Sequence, residues 1–199
     1  MISSALILAR LRARDIEFKP GAEFGPMPRI GPEPRIEPAT TVETIQSIER
    51  ELGIRIPPSL KEWWQHCNGF SFTYGNAYGV NTEDPGGDIR GIYRLDGLDA
   101  WRQRNWIPVA DDGCGNYYLA VRDEVADLYP VCFVEMLEDP FSLHYAASSS
   151  IHHFLWGYVS TTVGRDWPFN RSEALALDPD LARVQVAPLP WTLVDPESS

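Results

Sequence analysis

The chain begins with apolar residues at helical spacing. Ile2, Leu6, Ala9, Ala13 and Ile16 are separated by four, three, four and three residues. This spacing predicts one face of a short helix that docks on the rest of the protein. The segment 20–38 is dense in Pro and Gly and therefore predicts an extended strap, because each proline ring fixes its own φ and restricts the preceding residue. A ligand for a proline-binding domain is the alternative interpretation of this strap.

Two helices with clear start and stop signals are predicted next. Thr40 and Glu43 have capping-box spacing, and Gly53 supplies a left-handed end to the first helix. Ser59 and Glu62 have the same spacing at the start of the second helix, after two prolines. The apolar stripe of the first helix is Ile45, Ile48 and Leu52, and that of the second helix is Leu60, Trp63, Trp64 and Cys67. The second helix ends at Asn68-Gly69.

Beyond Gly69 the pattern is typical of strands, with short runs of β-branched and aromatic residues between Gly, Pro, Asp and Asn. The predicted strands are Phe70–Tyr74, Gly91–Leu95, Ile107–Ala110, Tyr117–Arg122 and Val131–Met136. The Gly-rich segment 75–88 is expected to be a mobile or functional loop. Ser148–Ser150 is expected to cap a late helix that packs on the sheet through Ile151, Phe154, Leu155 and Tyr158.

The chain is acidic, with 28 Asp and Glu against 17 Lys and Arg and a formal net charge of −11. The imbalance lies in the main domain, because residues 37–199 hold 24 acidic and 11 basic residues. A field of this sign repels phosphate backbones and anionic lipid headgroups, so it argues against nucleic-acid and membrane partners and favours a basic protein partner. The alternative is that the charge only keeps the protein soluble.

Cysteine usage and the N-terminal residues indicate a cytoplasmic protein. Cys67, Cys114 and Cys132 are widely spaced and form no C-x-x-C pair, so they predict neither a disulfide framework nor a zinc site. The apolar stretch 2–9 runs directly into arginines and has no preceding positive charge, which is unlike a signal peptide. No run approaches the roughly 20 apolar residues needed to cross a bilayer.

Candidate catalytic and metal-binding patterns are weak. The turn Asp111–Asn116 lacks the spacing of an EF-hand, and its two glycines are better explained by positive φ in a tight connection between strands. His152 and His153 point about 100° apart on a helix, so together with His144 they do not predict a metal site. Neither a nucleophile elbow nor a glycine-rich phosphate loop occurs. We therefore expect no metal, no cofactor and no catalytic residue.

Three blocks of residues, in this order, resemble the SUKH superfamily, which contains fungal cell-wall-synthesis regulators and bacterial toxin-immunity proteins. The blocks are Glu49, Leu52, Gly53, Ile56, Pro57, Leu60, Trp63, Asn68 and Gly69, then Ile107–Leu119, then the Ser-rich cap with Ile151, Phe154 and Leu155. The chain departs from the family pattern in its Pro-rich N-terminal extension, in its C-terminal tail and in Asn116, where the family often has Asp.

The resemblance implies an α+β fold with a single mixed, largely antiparallel sheet of about five or more strands and helices packed against it. That fold agrees with the predicted order of elements. The predicted organisation is an extension over 1–39 with the short helix and the strap, a SUKH-like domain over 40–171, and a tail over 172–199 that docks on the domain.

The resemblance also implies a protein-binding function without catalysis. The first hypothesis is an intracellular domain similar to immunity proteins, which neutralises a cognate, basic toxin by blocking its active surface. The alternative is a regulatory interaction scaffold without a toxin partner, to which the Pro-rich arm contributes contacts. A hydrolase that uses Asp112 with His144 or His152 is a third hypothesis, and it requires carboxylate and imidazole in one pocket.

Acidic residues in the connections between elements are the candidate partner-binding residues, because loop carboxylates stay solvated and can meet cations on a partner. The candidates are Glu83, Asp84, Asp88, Asp96, Asp99, Asp111, Asp112, Glu135, Glu138 and Asp139. A merely solvated acidic rim is the alternative interpretation for any one of them.

Overall fold

The computed structural model describes residues 2–17, 35–72, 75–82, 85–95, 98–160 and 170–194. The helices in these ranges are α1 (Ser4–Glu17), α2 (Val42–Leu52), α3 (Pro58–Trp64), α4 (Ile89–Tyr93), α5 (Asp99–Gln103), α6 (Ile151–Ser160), α7 (Arg171–Leu177) and α8 (Pro190–Val194). The strands are β1 (Arg35–Ile36), β2 (Phe70–Phe72), β3 (Gly75–Ala77), β4 (Ile107–Asp111), β5 (Tyr117–Ala120), β6 (Val131–Val134) and β7 (Tyr145–Ser148). Two short 3-10 turns cover Pro85–Gly87 and Pro179–Arg183.

The seven strands form one sheet in chain order, and every neighbouring pair among them is antiparallel. Asp111 lies opposite Tyr117, which in turn lies opposite Val134. Ala120 lies opposite Val131. The β4–β5 turn and the β6–β7 connection therefore leave one end of the sheet, and the β5–β6 connection leaves the other. The predicted α+β class with a largely antiparallel sheet is confirmed.

Helices cover both faces of this sheet. The ring of Tyr118 lies 4.8 Å from that of Phe154 on α6, and the ring of Tyr117 lies 5.3 Å from that of Trp101 on α5. Because successive residues of a strand point to opposite faces, α5 and α6 lie on opposite sides of the sheet. Trp63 and Trp101 are fully buried, so tryptophan side chains fill the core on both sides.

The N-terminal helix forms as predicted, but it buries a different face. α1 packs against α6 and buries Ser4, Ile7 and Leu11, whereas Leu6 is 46% exposed. The spacing of the apolar residues did not indicate this face, because one of its buried residues is a serine. The Ser4 hydroxyl donates to Glu62 on α3, which satisfies it in the interior. Residues 20–34 of the predicted strap lie outside the described residues, and its last part, 35–38, contains β1.

Two predicted helix caps were wrong by one or two residues. The N-cap of α2 is Thr41, not Thr40, and its hydroxyl accepts from the backbone N–H of Thr44. The N-cap of α3 is Pro57 rather than Ser59, and Pro58 takes the first helical position, because proline has no N–H to satisfy and its φ suits that position. The left-handed end of α2 at Gly53, with φ 65°, is confirmed.

Several short elements differ from the sequence predictions. The predicted strand Gly91–Leu95 is wrong, because Asp88 caps α4 there and turns Ile89, Ile92 and Tyr93 into the core. Strands β1, β3 and β7 were not predicted, and β3 lies inside the segment interpreted as a loop. The sequences of β3 and β7, Gly-Asn-Ala and Tyr-Ala-Ala-Ser, lack the β-branched residues on which strand prediction depends.

The C-terminal tail docks along the last strand. Trp191 is buried, whereas Leu193 is 41% exposed. The backbone N–H of Ala146 in β7 donates to the carbonyl of Pro188 at 2.8 Å, so the tail occupies the outer edge of β7. At the other edge, β1 pairs with β2 over only two residues. Within the described part of the chain, no helix is long and apolar enough to span a membrane.

Candidate functional site

The β4–β5 turn is built around the buried carboxylate of Asp111. It accepts from the hydroxyl of Tyr78 at 2.7 Å, from the side-chain amide of Asn76 at 2.8 Å and from the backbone N–H of Gly113 at 2.8 Å. Burial, and then the charge of Asp111, raise the pKa of Tyr78 far above its ordinary value, so this phenol stays a neutral donor. Asp111 therefore organises the interior of the turn.

Asp112 closes the same turn. Its carboxylate accepts from the backbone N–H of Cys114 at 2.8 Å and from the side-chain amide of Asn116 at 2.8 Å. The side-chain carbonyl oxygen of Asn116 accepts from the backbone N–H of Met136, which ties the turn to the β6–β7 connection. An Asp at 116 would have no amide to donate to Asp112. The φ of 71° at Gly113 confirms the predicted backbone turn.

The other described candidates in the first half of the domain differ in exposure. Asp88 is buried and accepts from the backbone N–H and the guanidinium of Arg90. Asp99 is exposed and pairs with Arg102 at 2.7 Å on the same helix. Glu83, Asp84 and Asp96 lie outside the described residues. The expectation that loop carboxylates stay solvated is therefore wrong for Asp88 and Asp111.

The β6–β7 connection, residues 135–144, forms an acidic loop. Glu138 and Asp139 are exposed, Glu135 is half-buried, and no Lys or Arg within the described ranges pairs with any of the three. Leu137, between these carboxylates, is 95% exposed. Leu137 was not among the residues predicted from the sequence, although an apolar residue inside an acidic run of a connection is a signal for it.

Hydrogen bonds from Trp101 and Arg104 hold the backbone of the acidic loop in place. The indole N–H of Trp101 donates to the carbonyl of Pro140 at 2.6 Å, and the guanidinium of Arg104 donates to the carbonyl of Phe141 at 2.8 Å. The backbone N–H of Phe141 donates to the Asp139 carboxylate at 2.9 Å. These contacts fix the loop backbone, so Leu137 and its flanking carboxylates project from an anchored base.

The histidines do not gather around one point. His144 lies 3.5 Å from the Glu138 carboxylate, and together with Glu135 they place three ligand-type atoms within 4.8 Å of one another. Carboxylate and imidazole donors suit a divalent cation, but nothing else at this exposed position points to one. The absence of a metal stays a prediction. His152 lies on α6, where its Nε2 is 3.0 Å from the buried Ser4 hydroxyl.

Asp178 in the tail is a hydrogen-bond partner of the Ser-rich cap that was not predicted from the sequence. It accepts from the backbone N–H and the hydroxyl of Ser149, both at 2.6 Å. It also lies 3.5 Å from Nδ1 of His153, and the Ser150 hydroxyl lies 2.9 Å from the same nitrogen. A catalytic relay needs its carboxylate and nucleophile on opposite ring nitrogens. The arrangement is therefore one that holds the tail on the start of α6.

The hydrolase hypothesis requires Asp112 to meet an imidazole. Among the described hydrogen bonds, those of the Asp112 carboxylate go to residues of its own turn, while His152 contacts Ser4 and lies 3.6 Å from Glu62. His144 faces Glu138 instead. No described contact joins Asp112 to either histidine.

An antiparallel sheet with helices on both faces, a hydrogen-bonded acidic turn and an anchored acidic loop define an α+β domain whose candidate functional groups lie on loops. The chain belongs to the SMI1 / KNR4 family (SUKH-1), whose family model matches residues 39–154. That match runs from the start of α2 into α6 and includes both the turn and the acidic loop. Among curated proteins, none matches the chain.

Proposed function

We propose that this SUKH-type protein is a cytoplasmic immunity protein, which binds a cognate basic toxin through the acidic loop and blocks the toxin's active surface. The observation that carries the proposal is Leu137, fully projecting between Glu135, Glu138 and Asp139. An apolar centre with a charged rim is the usual composition of a protein interface. No catalytic step is needed.

Charge supports the same surface. The three loop carboxylates have no Lys or Arg partner among the described residues, so a partner's cations would meet carboxylates that are still free for pairing. Residues 37–199 also carry most of the negative charge of the chain. Such a field steers a basic partner towards the protein and raises the association rate. Asp88 and Asp111 are left out of the proposed interface because they are buried.

The direct test measures binding and protection with matched charge reversals. Glu138→Lys combined with Asp139→Lys should slow association with a basic toxin encoded beside the gene by roughly tenfold or more, because steering is lost. Glu173→Lys combined with Asp180→Lys changes the charge equally on the exposed tail and should have little effect. Cells that express the toxin should survive with the control variant and die with the loop variant.

Leu137→Ser separates contact from steering. It leaves the charge unchanged and should raise the dissociation rate, because an apolar anchor is lost. Raising the salt towards a Debye length of about 8 Å should slow association of the wild type and leave this variant's dissociation rate high. Full protection by both loop variants would overturn the proposed surface.

The alternative, a regulatory scaffold of the same family, predicts a different outcome. It requires no toxin gene beside the gene for this protein, and loop variants would then leave toxin survival unchanged while impairing another protein complex. The described structure contains no observation that favours this alternative over the first proposal.

A further inference from the structure

A second surface, which goes beyond the proposed function, lies at the end of the sheet opposite the β4–β5 turn. Three connections meet there: the α2–α3 link, the α5–β4 link and the β5–β6 connection. Between them is an open groove of about 870 Å³. It is lined by Gly53, Ile54, Arg55, Ile56, Pro58, Lys61, Arg104, Asn105, Arg122, Glu124 and Tyr129.

The charge of this groove is the reverse of the charge of the chain. Four of its lining residues are cationic, and Glu124 is its one acidic lining residue. The whole chain holds 28 acidic residues against 17 basic ones, so this clustering of cations is local. A groove of this sign focuses an attractive potential for anions inside an otherwise repulsive field.

Two of the cations have guanidinium groups that are not neutralised. Neither Arg55 nor Arg104 pairs with a carboxylate in the part of the chain that the structure describes. Arg104 stacks 4.9 Å above the ring of Trp106, which holds its side chain in place. A guanidinium presents five donors and binds a carboxylate through two of them, so each group offers a bidentate site.

The backbone that carries Arg55 is also fixed. Asn105, in a left-handed conformation with φ 55°, accepts from the backbone N–H of Arg55 at 2.5 Å and donates to its carbonyl at 2.9 Å. Across the groove, the Arg122 guanidinium lies 4.8 Å from the ring of Tyr129 and pairs with Asp127. Lys61 pairs with Glu49 at 2.7 Å. The groove therefore combines two cations that no described carboxylate neutralises with two that are already paired.

The apolar groups between the cations suit a ligand that is larger than a simple anion and carries apolar side chains. Ile54 and Ile56 form a buried floor, Pro58 is exposed, and Tyr129 contributes a half-buried ring. We infer that this groove binds an acidic segment of a partner protein, whose carboxylates pair with Arg55 and Arg104 while an apolar side chain packs against Tyr129 and Pro58.

A nucleic acid fits the surroundings less well than a short acidic segment. Its charges repeat at every nucleotide and would continue beyond the groove, over the exposed carboxylates of Glu51, Glu124 and Asp127. A protein segment can place a few carboxylates inside the groove and uncharged residues outside it. Its acidic side chains also match the geometry of the guanidinium groups.

The experiment uses fluorescence anisotropy with the full chain and a labelled peptide of ~10 residues that alternates Asp and Glu with Leu and Tyr. The acidic peptide should bind at least ~10-fold more tightly than its Asn and Gln counterpart, with an affinity that falls as salt rises. Arg55→Glu combined with Arg104→Glu should abolish this preference. Arg10→Glu combined with Arg12→Glu, which makes the same charge change at exposed positions of α1, should preserve it.

A second variant guards against unfolding. Arg55→Glu alone removes an exposed guanidinium without touching the stacked Arg104, and it should weaken binding by about tenfold. Equal binding of the acidic and amide peptides, or unchanged binding by Arg55→Glu, would overturn the inference. So would tighter binding of oligothymidylate of ~10 nucleotides, which would assign the groove to phosphates instead. Because Arg104 also donates to the carbonyl of Phe141 in the acidic loop, the single variant Arg55→Glu tests the groove without disturbing that loop.

Discussion

The β4–β5 turn and the acidic loop leave the same end of the sheet, and both are rich in carboxylates. In the turn, Asp111 is buried and each oxygen accepts hydrogen bonds from the protein itself. In the loop, Glu138 and Asp139 are exposed around the projecting Leu137. Net charge is therefore a poor guide to function, because a buried carboxylate such as Asp111 contributes to the charge but cannot reach a partner, whereas the exposed Glu138 and Asp139 can. Stability measurements should separate the two regions.

The largest effect is expected from Asp111→Ala. The change leaves the buried hydroxyl of Tyr78, the amide of Asn76 and the N–H of Gly113 without their acceptor, so the free energy of unfolding should fall by about 3–5 kcal/mol. Urea denaturation measures this loss. Asp139→Ala in the acidic loop is the matched control and should change stability by less than about 0.5 kcal/mol. Equal losses in the two variants would remove the distinction between the turn and the loop.

Asp123, at the other end of the sheet, is a second buried carboxylate that accepts hydrogen bonds from the protein itself. It is buried, and burial alone raises its pKa, yet backbone N–H donors that include Ala126, Gln185 and Val186 lower the pKa below its ordinary value. Asp123→Asn removes an acceptor for the tail and should cost about 1–3 kcal/mol at pH 7.

The pH dependence has a defined sign. Because the folded state lowers the pKa of Asp123, its stabilising contribution is present above the ordinary value of 3.8 and is lost as pH falls through the folded pKa. Wild type and Asp123→Asn should therefore approach each other in stability as pH falls below about 4. A constant difference between them from neutral to acidic pH would contradict this assignment.

Backbone conformation gives the next smaller effect. Gly113 has a φ of 71°, which a β-branched residue adopts only with strain, so Gly113→Val should cost about 1–3 kcal/mol. Cys114→Val places the same side chain one residue further on, at an exposed position, and should be nearly neutral. Thermal unfolding of the two variants provides the comparison, and equal melting temperatures would mean that the turn tolerates a side chain at 113.

The smallest stability effect should come from the acidic loop itself. Glu138→Lys combined with Asp139→Lys should change the free energy of unfolding by about 0.5 kcal/mol or less, since exposed charges contribute little. The same variant is expected to lose binding of a basic toxin. A large loss of stability here would show that the loop is structural, and the functional test would then need Leu137→Ser instead.

Periodic elements of the fold could be predicted, because burial of one helix face or of a β-branched run leaves a local pattern. α2, α6 and strands β4 to β6 are examples. β3 and β7 could not be predicted, since Gly75–Ala77 and Tyr145–Ser148 become strands through pairing with their neighbours. The strand predicted at Gly91–Leu95 failed because the cap at Asp88 outweighs local β propensity.

The candidate site was predictable only in part. A position in a connection is visible in the sequence, but the exposure of a side chain there depends on donors that arrive from elsewhere. Asp88 and Glu138 both lie between elements, yet Arg90 closes over the first and no Lys or Arg of the described chain pairs with the second. The groove at Arg55 and Arg104 joins residues about fifty positions apart, which no local pattern reveals.

The docked tail is expected to keep copies of the protein from pairing through their sheets. An open strand edge is a template for pairing with another chain, and natural sheets cover or shorten such edges. Here the carbonyl of Pro188 occupies an N–H of β7, and β1 at the opposite edge is only two residues long. The tail lies beyond the family match, which ends at 154. Removing residues 171–199 would uncover β7 along its length, and the shortened protein should aggregate or pair edge to edge.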